Sequence, residues 1–276
     1  MELTPGRAID GGLHLAGIAV MGLVVLFLVI PLLVTTVMAF DPRPYLGPLP
    51  PPGVSIRWFV QFFSDDTFLR GLATSIELAV GAVSASLLVG VVTAAALDRI
   101  PLGARQALMA LFLSPLVVPP VVIGFALLLF LSAQGLTNGF WRLLCGHIII
   151  TVPYTIRATL AGLSGIDRSL TEAALVLGAT ERHAFWDVTL PLARTGIVSG
   201  AIFAFAVSMD DVSVSIMLTD SRTYTLPVAL VSSMRANFDL SLAAASVMLT
   251  GLTIVLTLVL DRFVGVNRIV GQGVFR

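Results

Sequence analysis

The sequence predicts an all-α integral membrane protein with six transmembrane helices. Two observations carry this. Hydrophobic residues make up 57% of the 276 positions, charged residues only 12%, and mean hydropathy is +0.99, whereas about a quarter of an ordinary soluble domain is charged. Apolar runs also recur from end to end of the chain, each reaching the roughly 20 residues that cross about 30 Å of hydrocarbon. Net charge is zero, which gives no reason to expect a nucleic-acid partner.

Residues 1–12 are expected to form a cytoplasmic N-terminal tail, and 13–40 the first transmembrane helix, Leu13–Phe40. That run is too long for the apolar core of a signal peptide, lacks a small-residue cleavage signature and contains Pro31, so it reads as a retained anchor. Residues 41–71 read as an external loop. Pro42, Pro44, Pro48, Pro50, Pro51 and Pro52 crowd its first half, and Trp58, Phe59, Phe62 and Phe63 then suit an interfacial amphipathic helix. A five-helix core follows over 72–264, with spans at Leu72–Leu97, Ala107–Ser132, Trp141–Leu163, Gly196–Leu218 and Leu242–Leu260. Residues 265–276 complete the chain as a second cytoplasmic tail. Pro115, Pro119, Pro120 and Pro153 interrupt core spans, freeing carbonyls and bending helices. Bends suit a moving gate, and they are equally common in any membrane bundle.

Arginine placement orients the chain with both termini inside. Arg7, Arg99, Arg105, Arg168, Arg182, Arg194, Arg262, Arg268 and Arg276 then face the cytoplasm, against Arg43, Arg57, Arg70, Arg222 and Arg235 outside, with Arg142 at the outer edge. All basic residues are arginine. A phosphate-binding P-loop needs a lysine, so this chain cannot carry an ordinary one, and Schiff-base chemistry is excluded as well. Cys145 is alone, which excludes a disulfide framework. His14, His147 and His183 are scattered without paired spacing, so no metal site, cofactor or catalytic triad is expected, and the chain reads as non-enzymatic.

Polar groups inside the spans are costly and therefore informative. Asp210 and Asp211 lie about 20 Å from the inner end of the fifth span, and His147 about 9 Å from the outer end of the fourth, at a similar depth. Either aspartate could stand as an electronegative element beside a cation's path. Alternatively, one caps a helix restart before Val212, or pairs with His147 or Arg157. Consecutive positions point about 100° apart on a helix, so both cannot face a pore equally.

The one substantial inner loop, 165–194, reads as helix–turn–helix. Ser169 and Glu172 have capping-box spacing, Gly178 suits a left-handed helix stop, and Thr180 can cap a second helix, Glu181–Val188, that Pro191 ends. Leu170, Ala174 and Leu177 would share one apolar face. Such a surface should dock on a partner or rest on the bilayer.

Glu172-Ala173-Ala174, then three residues and Gly178, with Leu190-Pro191 beyond, resembles the EAA loop of type I binding-protein-dependent ABC importer permeases. The resemblance covers roughly Leu72 to Val264. It implies that the loop is a coupling helix seated in a cytoplasmic ATPase, with Glu172, Ala173, Ala174 and Gly178 as the contacts. The run from Ser208 to Ser215, following Phe203-Ala204-Phe205-Ala206, together with Gly146-His147 and Pro153, is similar to spermidine/putrescine permeases. That similarity implies a polyamine, or another small organic solute or ferric iron carried by related systems, with Asp210, Asp211 and His147 along the pathway. The partners implied are two ATPase subunits, a second and non-identical permease, a periplasmic or lipid-anchored solute-binding protein, and the lipid of a bacterial inner membrane. A cation-coupled secondary transporter and a poreless membrane scaffold are the competing classes.

Overall fold

The computed structural model describes residues 5–236 and 239–264, and within these the chain divides into two compact units. The first falls within Met1–Ser64 and Ala236–Leu249, the second within Asp65–Arg235 and Thr250–Arg276. The expected C-terminal tail, with Arg268 and Arg276, lies outside the described residues.

Helix α1, Pro5–Ala39, opens the first unit. It starts inside the stretch expected to be a tail, and Pro5 sits where a first turn tolerates proline. Pro31 lies within α1 without ending it; Thr35 Oγ1 donates to the Pro31 carbonyl (2.9 Å) and Thr36 Oγ1 to that of Leu32 (2.7 Å). From Ala16 to Val34 the helix is apolar on every side and exposed, as a lipid-facing helix must be. Short helix α2, Arg57–Ser64, follows the proline-rich stretch and buries Trp58 and Phe62, as its aromatic spacing predicts. Trp58 Nε1 donates to the Asp41 carbonyl (2.7 Å), while Arg57 stacks 4.7 Å from the Trp58 ring. Met38, Ala39, Trp58, Leu240 and Ala244 form the apolar core of this unit.

Helix α3, Asp66–Arg99, begins where Asp65 accepts the amides of Thr67 and Phe68, and stops at an extended Ile100 before Pro101. The next span departs from expectation. Instead of one helix over 107–132 there are α4, Leu102–Phe112, a 3-10 turn at Ser114–Leu116, and α5, Pro120–Ala133. Pro115, Pro119 and Pro120 withdraw three amides within six positions, more than one helix absorbs. Helix α6, Gly139–Ser164, absorbs the single Pro153 and is capped by Asn138.

The inner hairpin comprises α7, Arg168–Val176, and α8, Glu181–His183, which runs on through a π-helical segment, Ala184–Thr189, into α9, Leu190–Leu192. Pro191 therefore sits within the last turn and does not end the helix at Val188 as expected. Its missing amide falls where the wide π turn has already altered the bonding ladder. Then come α10, Arg194–Asp210, the short turn α11, Ser215–Leu218, helix α12, Leu226–Ala236, and α13, Ser241–Val264. The fifth expected span thus breaks after Asp210, and α12 occupies what was read as an external loop. Leu226 begins α12 by donating its amide to Ser75 Oγ of α3 (2.9 Å). Among the described residues four helices are individually long and apolar enough to cross a membrane. A fifth is reached if Glu181–Leu192 and Arg194–Asp210, bent by 65°, count as one.

Helices α3, α6 and α10 pack mutually to form the core of the second unit. Lipid gives no hydrophobic reason for apolar helices to associate, so close backbone approach must supply the attraction. A Cβ on Gly196 of α10 would stand 2.5 Å from the Ala158 carbonyl oxygen and 2.8 Å from Gly162 Cα; one on Gly90 of α3 would overlap Thr155. Thr155 itself donates to the Ser86 carbonyl (2.8 Å), tying α6 to α3. Because both neighbours of Gly196 are backbone and cannot yield, Gly196→Val is expected to cost at least about 1–3 kcal/mol. Thermal denaturation in detergent should show this as a clear fall in Tm, whereas Gly103→Val, in open space, should leave Tm unchanged.

Candidate coupling surface and translocation site

The hairpin is built by its caps. Asp167, not Ser169, starts α7: its carboxylate accepts the Ser169 amide (2.9 Å), which holds the Asp167 carboxyl below the usual carboxylate range. Ser169 therefore lies inside the first turn and the expected capping box is displaced. At the other end Gly178 has φ +92°, its amide donates to the Leu175 carbonyl, and the Ala179 amide to that of Ala174, both at 3.0 Å. This pair of bonds is a Schellman stop, and it uses the left-handed residue the sequence provides. Thr180 then accepts the His183 amide and starts α8.

The result is an abrupt apolar tip. Val176 and Leu177 are 87% and 88% exposed; Leu170, Glu172 and Ala173 are exposed, and Ala174 is half-buried. The other side of the hairpin faces the end of α3 across a cleft of about 370 Å³ lined by Asp98, Arg99, Arg168, Glu172, Glu181 and Phe185, among others. Arg99 pairs with Glu181 (3.3 Å), and Arg168 donates to the Asp98 carbonyl (3.0 Å). These exposed contacts are individually weak, but together they give the hairpin an attachment to a core helix. Sequence reasoning missed them, although Asp98-Arg99 and Arg168 carried the signal of complementary charge at span ends.

At the far end of α10 the two aspartates separate in role. Asp211 leaves the helix (φ −68°, ψ 124°) and caps the next turn: Oδ1 accepts the Val214 amide (3.3 Å), and Oδ2 accepts the Ser215 amide (2.8 Å) and hydroxyl (2.9 Å). This is the helix-restart arrangement weighed above. Asp210 is the last residue of α10 and is exposed. It sits beside the free carbonyls that give a helix C-terminus its partial negative charge. Arg157 is exposed and makes no ion pair with either aspartate among the described residues.

His147 is fully buried, with Nδ1 2.7 Å from Ser208 Oγ and Nε2 3.0 Å from Ser215 Oγ. Ser215 commits its hydroxyl proton to Asp211, so its oxygen receives the Nε2–H of the ring. A neutral His147 then accepts at Nδ1 from Ser208. The three polar residues singled out in the sequence thus fall at one level, but only Asp210 is open. His14 is exposed, His183 bonds Thr180 in the hairpin, and Cys145 is a half-buried free thiol.

Asp220 was not anticipated. It accepts the amides of Arg222 and Thr223 (both 2.8 Å) and, across the chain, that of Gly139 at the start of α6 (3.0 Å). Burial alone would raise its carboxyl, but these three N–H groups and the nearby Arg142 guanidinium more than offset it and hold it below the usual range. A lowered folded-state pKa stabilises above the unfolded value of about 3.9 and is lost as pH falls through the folded one. Asp220→Asn is therefore expected to lower Tm at neutral pH, with the gap from the unaltered protein narrowing below about pH 4. A gap that stays constant across pH would contradict the clamp.

Comparisons with known proteins agree with this geometry. Residues 86–268 match the family described as binding-protein-dependent transport system inner membrane component. The spermidine/putrescine transport system permease protein PotC of Haemophilus influenzae is 31% identical over 214 residues, 78% of this chain and 82% of that protein. The putrescine transport system permease protein PotI of Escherichia coli is 27% identical over 82% of each. A bacterial ABC transporter that imports the acidic polysaccharide alginate superposes with a TM-score of 0.71 over 95% of this chain and 98% of that one, at 18% identity. Its fold is thus shared at a level where its substrate says nothing. The chain belongs to the binding-protein-dependent inner membrane component family and is a multi-pass permease subunit of an ABC importer with the type I fold.

Proposed function

We propose that this permease forms half of the translocation pathway for a small cationic solute, a polyamine of the spermidine/putrescine class named for its relatives. The observation that carries the charge preference is the break after Asp210. Asp211 is occupied with capping, which leaves the Asp210 carboxylate exposed at the negative end of α10, an attractive site for an ammonium group. Asp211 and His147 back the site and do not line it.

The chain itself is non-catalytic and lacks the lysine an ordinary P-loop requires. Two ATPase subunits would dock on the hairpin and on its counterpart in a second, non-identical permease, with Glu172, Ala173, Ala174 and Gly178 forming or shaping the contact. A solute-binding protein would deliver the polyamine on the opposite side. The family is one of inner membrane components, and arginine bias favours N- and C-termini in the cytoplasm of a bacterial cell.

The test is uptake of labelled putrescine and spermidine into proteoliposomes holding the assembled transporter and its binding protein. ATP on the ATPase side should drive uptake that survives an uncoupler. Uptake that collapses with the uncoupler and ignores ATP would establish a cation-coupled transporter in its place.

A further inference from the structure

We infer that His147 is a positioning residue: its ring is a strut across the break between α10 and α11, and it fixes where α10 ends. The inference rests on the reading above, in which Asp210 faces the pathway. Its basis is which partners the ring holds. Ser208 belongs to the last turn of α10 and Ser215 opens α11, so one side chain from α6 grips the chain on both sides of the break. The second grip continues through Ser215 Oγ into the Asp211 cap, so ring, hydroxyl and carboxylate form one chain of bonds.

The surroundings are shaped for this. A Cβ on Gly146, next to His147, would stand 2.5 Å from Leu218 Cδ1 and 2.8 Å from Val214 Cγ1. One on Gly124 of α5 would meet Met217 Cβ at 3.0 Å. The short α11 turn cannot stand on its own hydrogen bonds; two neighbouring helices approach it through glycines and one of them supplies the ring. A histidine that merely filled the core would not require its two nitrogens to be divided between the two segments.

Asparagine and glutamine separate the two grips, because the asparagine amide reaches near the Nδ1 position and the glutamine amide near Nε2. His147→Asn should keep Ser208 and lose Ser215; His147→Gln should do the reverse. In the complete transporter each is expected to lower the maximal uptake rate of labelled putrescine about tenfold, with KM unchanged and assembly intact. Ser215→Ala also removes the hydroxyl's bond to Asp211, so in His147→Asn it should cost only that remaining bond, less than the same change costs His147→Gln. Ser208→Ala should lower the His147→Asn rate by about another tenfold and add nothing to His147→Gln. Serine changes that act alike on both variants, or on neither, would overturn the strut.

Should these variants fail to assemble, ¹⁵N NMR of the histidine rings in the unaltered transporter decides. The strut requires both ring nitrogens of His147 to be hydrogen-bonded, with the proton on Nε2 in the neutral ring, and a ring nitrogen with the shift of an unbonded imine would overturn it. Absence of putrescine uptake by the unaltered transporter would defeat the substrate reading alone, since the ring's tautomer is read without any solute.

Discussion

Gly178→Val is expected to abolish copurification of the ATPase subunits while leaving membrane insertion intact. The effect is conformational, because a Cβ at Gly178 would meet nothing within 4 Å. What forbids the side chain is φ +92°, where a β-branched residue is a severe outlier. The left-handed backbone costs roughly 1–2 kcal/mol for ordinary L-residues, and the turn escapes that cost by giving up the two Schellman bonds from Gly178 and Ala179. Losing them re-aims Val176 and Leu177, the most exposed apolar residues at the end of α7. A series separates the causes. Gly178→Asn, which tolerates left-handed backbone, should retain much of the association. Gly178→Asp should do worse than Asn, because it sets a negative charge at the negative end of α7. Equal copurification for Asn, Asp and Val would show that the turn does not shape the docking surface.

Asp210→Asn and Asp211→Asn are expected to fail in different ways, although they are neighbours and carry the same change. Removing the exposed Asp210 charge should reduce polyamine uptake roughly ten- to a hundredfold, with Tm and ATPase association unaltered. Asp211 accepts three hydrogen bonds through both oxygens, two of them from Ser215. An asparagine there must turn its amide NH₂ toward one of the donors it should accept. Leaving such a group unpaired costs about 1–3 kcal/mol, so Asp211→Asn should lower Tm and weaken transport of any solute. Uptake by cells and Tm in detergent, measured for both variants, decide the matter. A stable, fully active Asp210→Asn would show that the carboxylate takes no part in translocation.

Local chemistry was largely legible in the sequence. The apolar runs of α1, α3, α6 and α13 announced themselves, and Gly178 and Thr180 took the turn and cap positions their chemistry suits. What escaped depends on competition or on distance. Asp167 outcompeted Ser169 for the cap of α7 because it stands two residues nearer the end of α6 and brings a full charge to the helix start. Pro115, Pro119 and Pro120 each signal a bend, but it is their close spacing that makes a break, so α4, a 3-10 turn and α5 stand where the apolar run alone predicts one span. Helix α12 has 11 residues, too few to register as a span, and it is held by Ser75, 151 positions away. The contacts of Asp220 with Gly139 and of His147 with Ser208 and Ser215 join segments far apart in the chain, and no periodicity encodes such pairs.

The most direct test of the account is uptake of labelled putrescine and spermidine by cells carrying this chain intact, deleted, or with Gly178→Asp. The account predicts ATP-dependent uptake in the intact cells and its loss in both altered strains, with the Gly178→Asp protein still present in the membrane. Uptake that is the same in all three strains would contradict it by removing polyamines as the solute, and uptake lost on deletion but kept with Gly178→Asp would remove the hairpin as the coupling element.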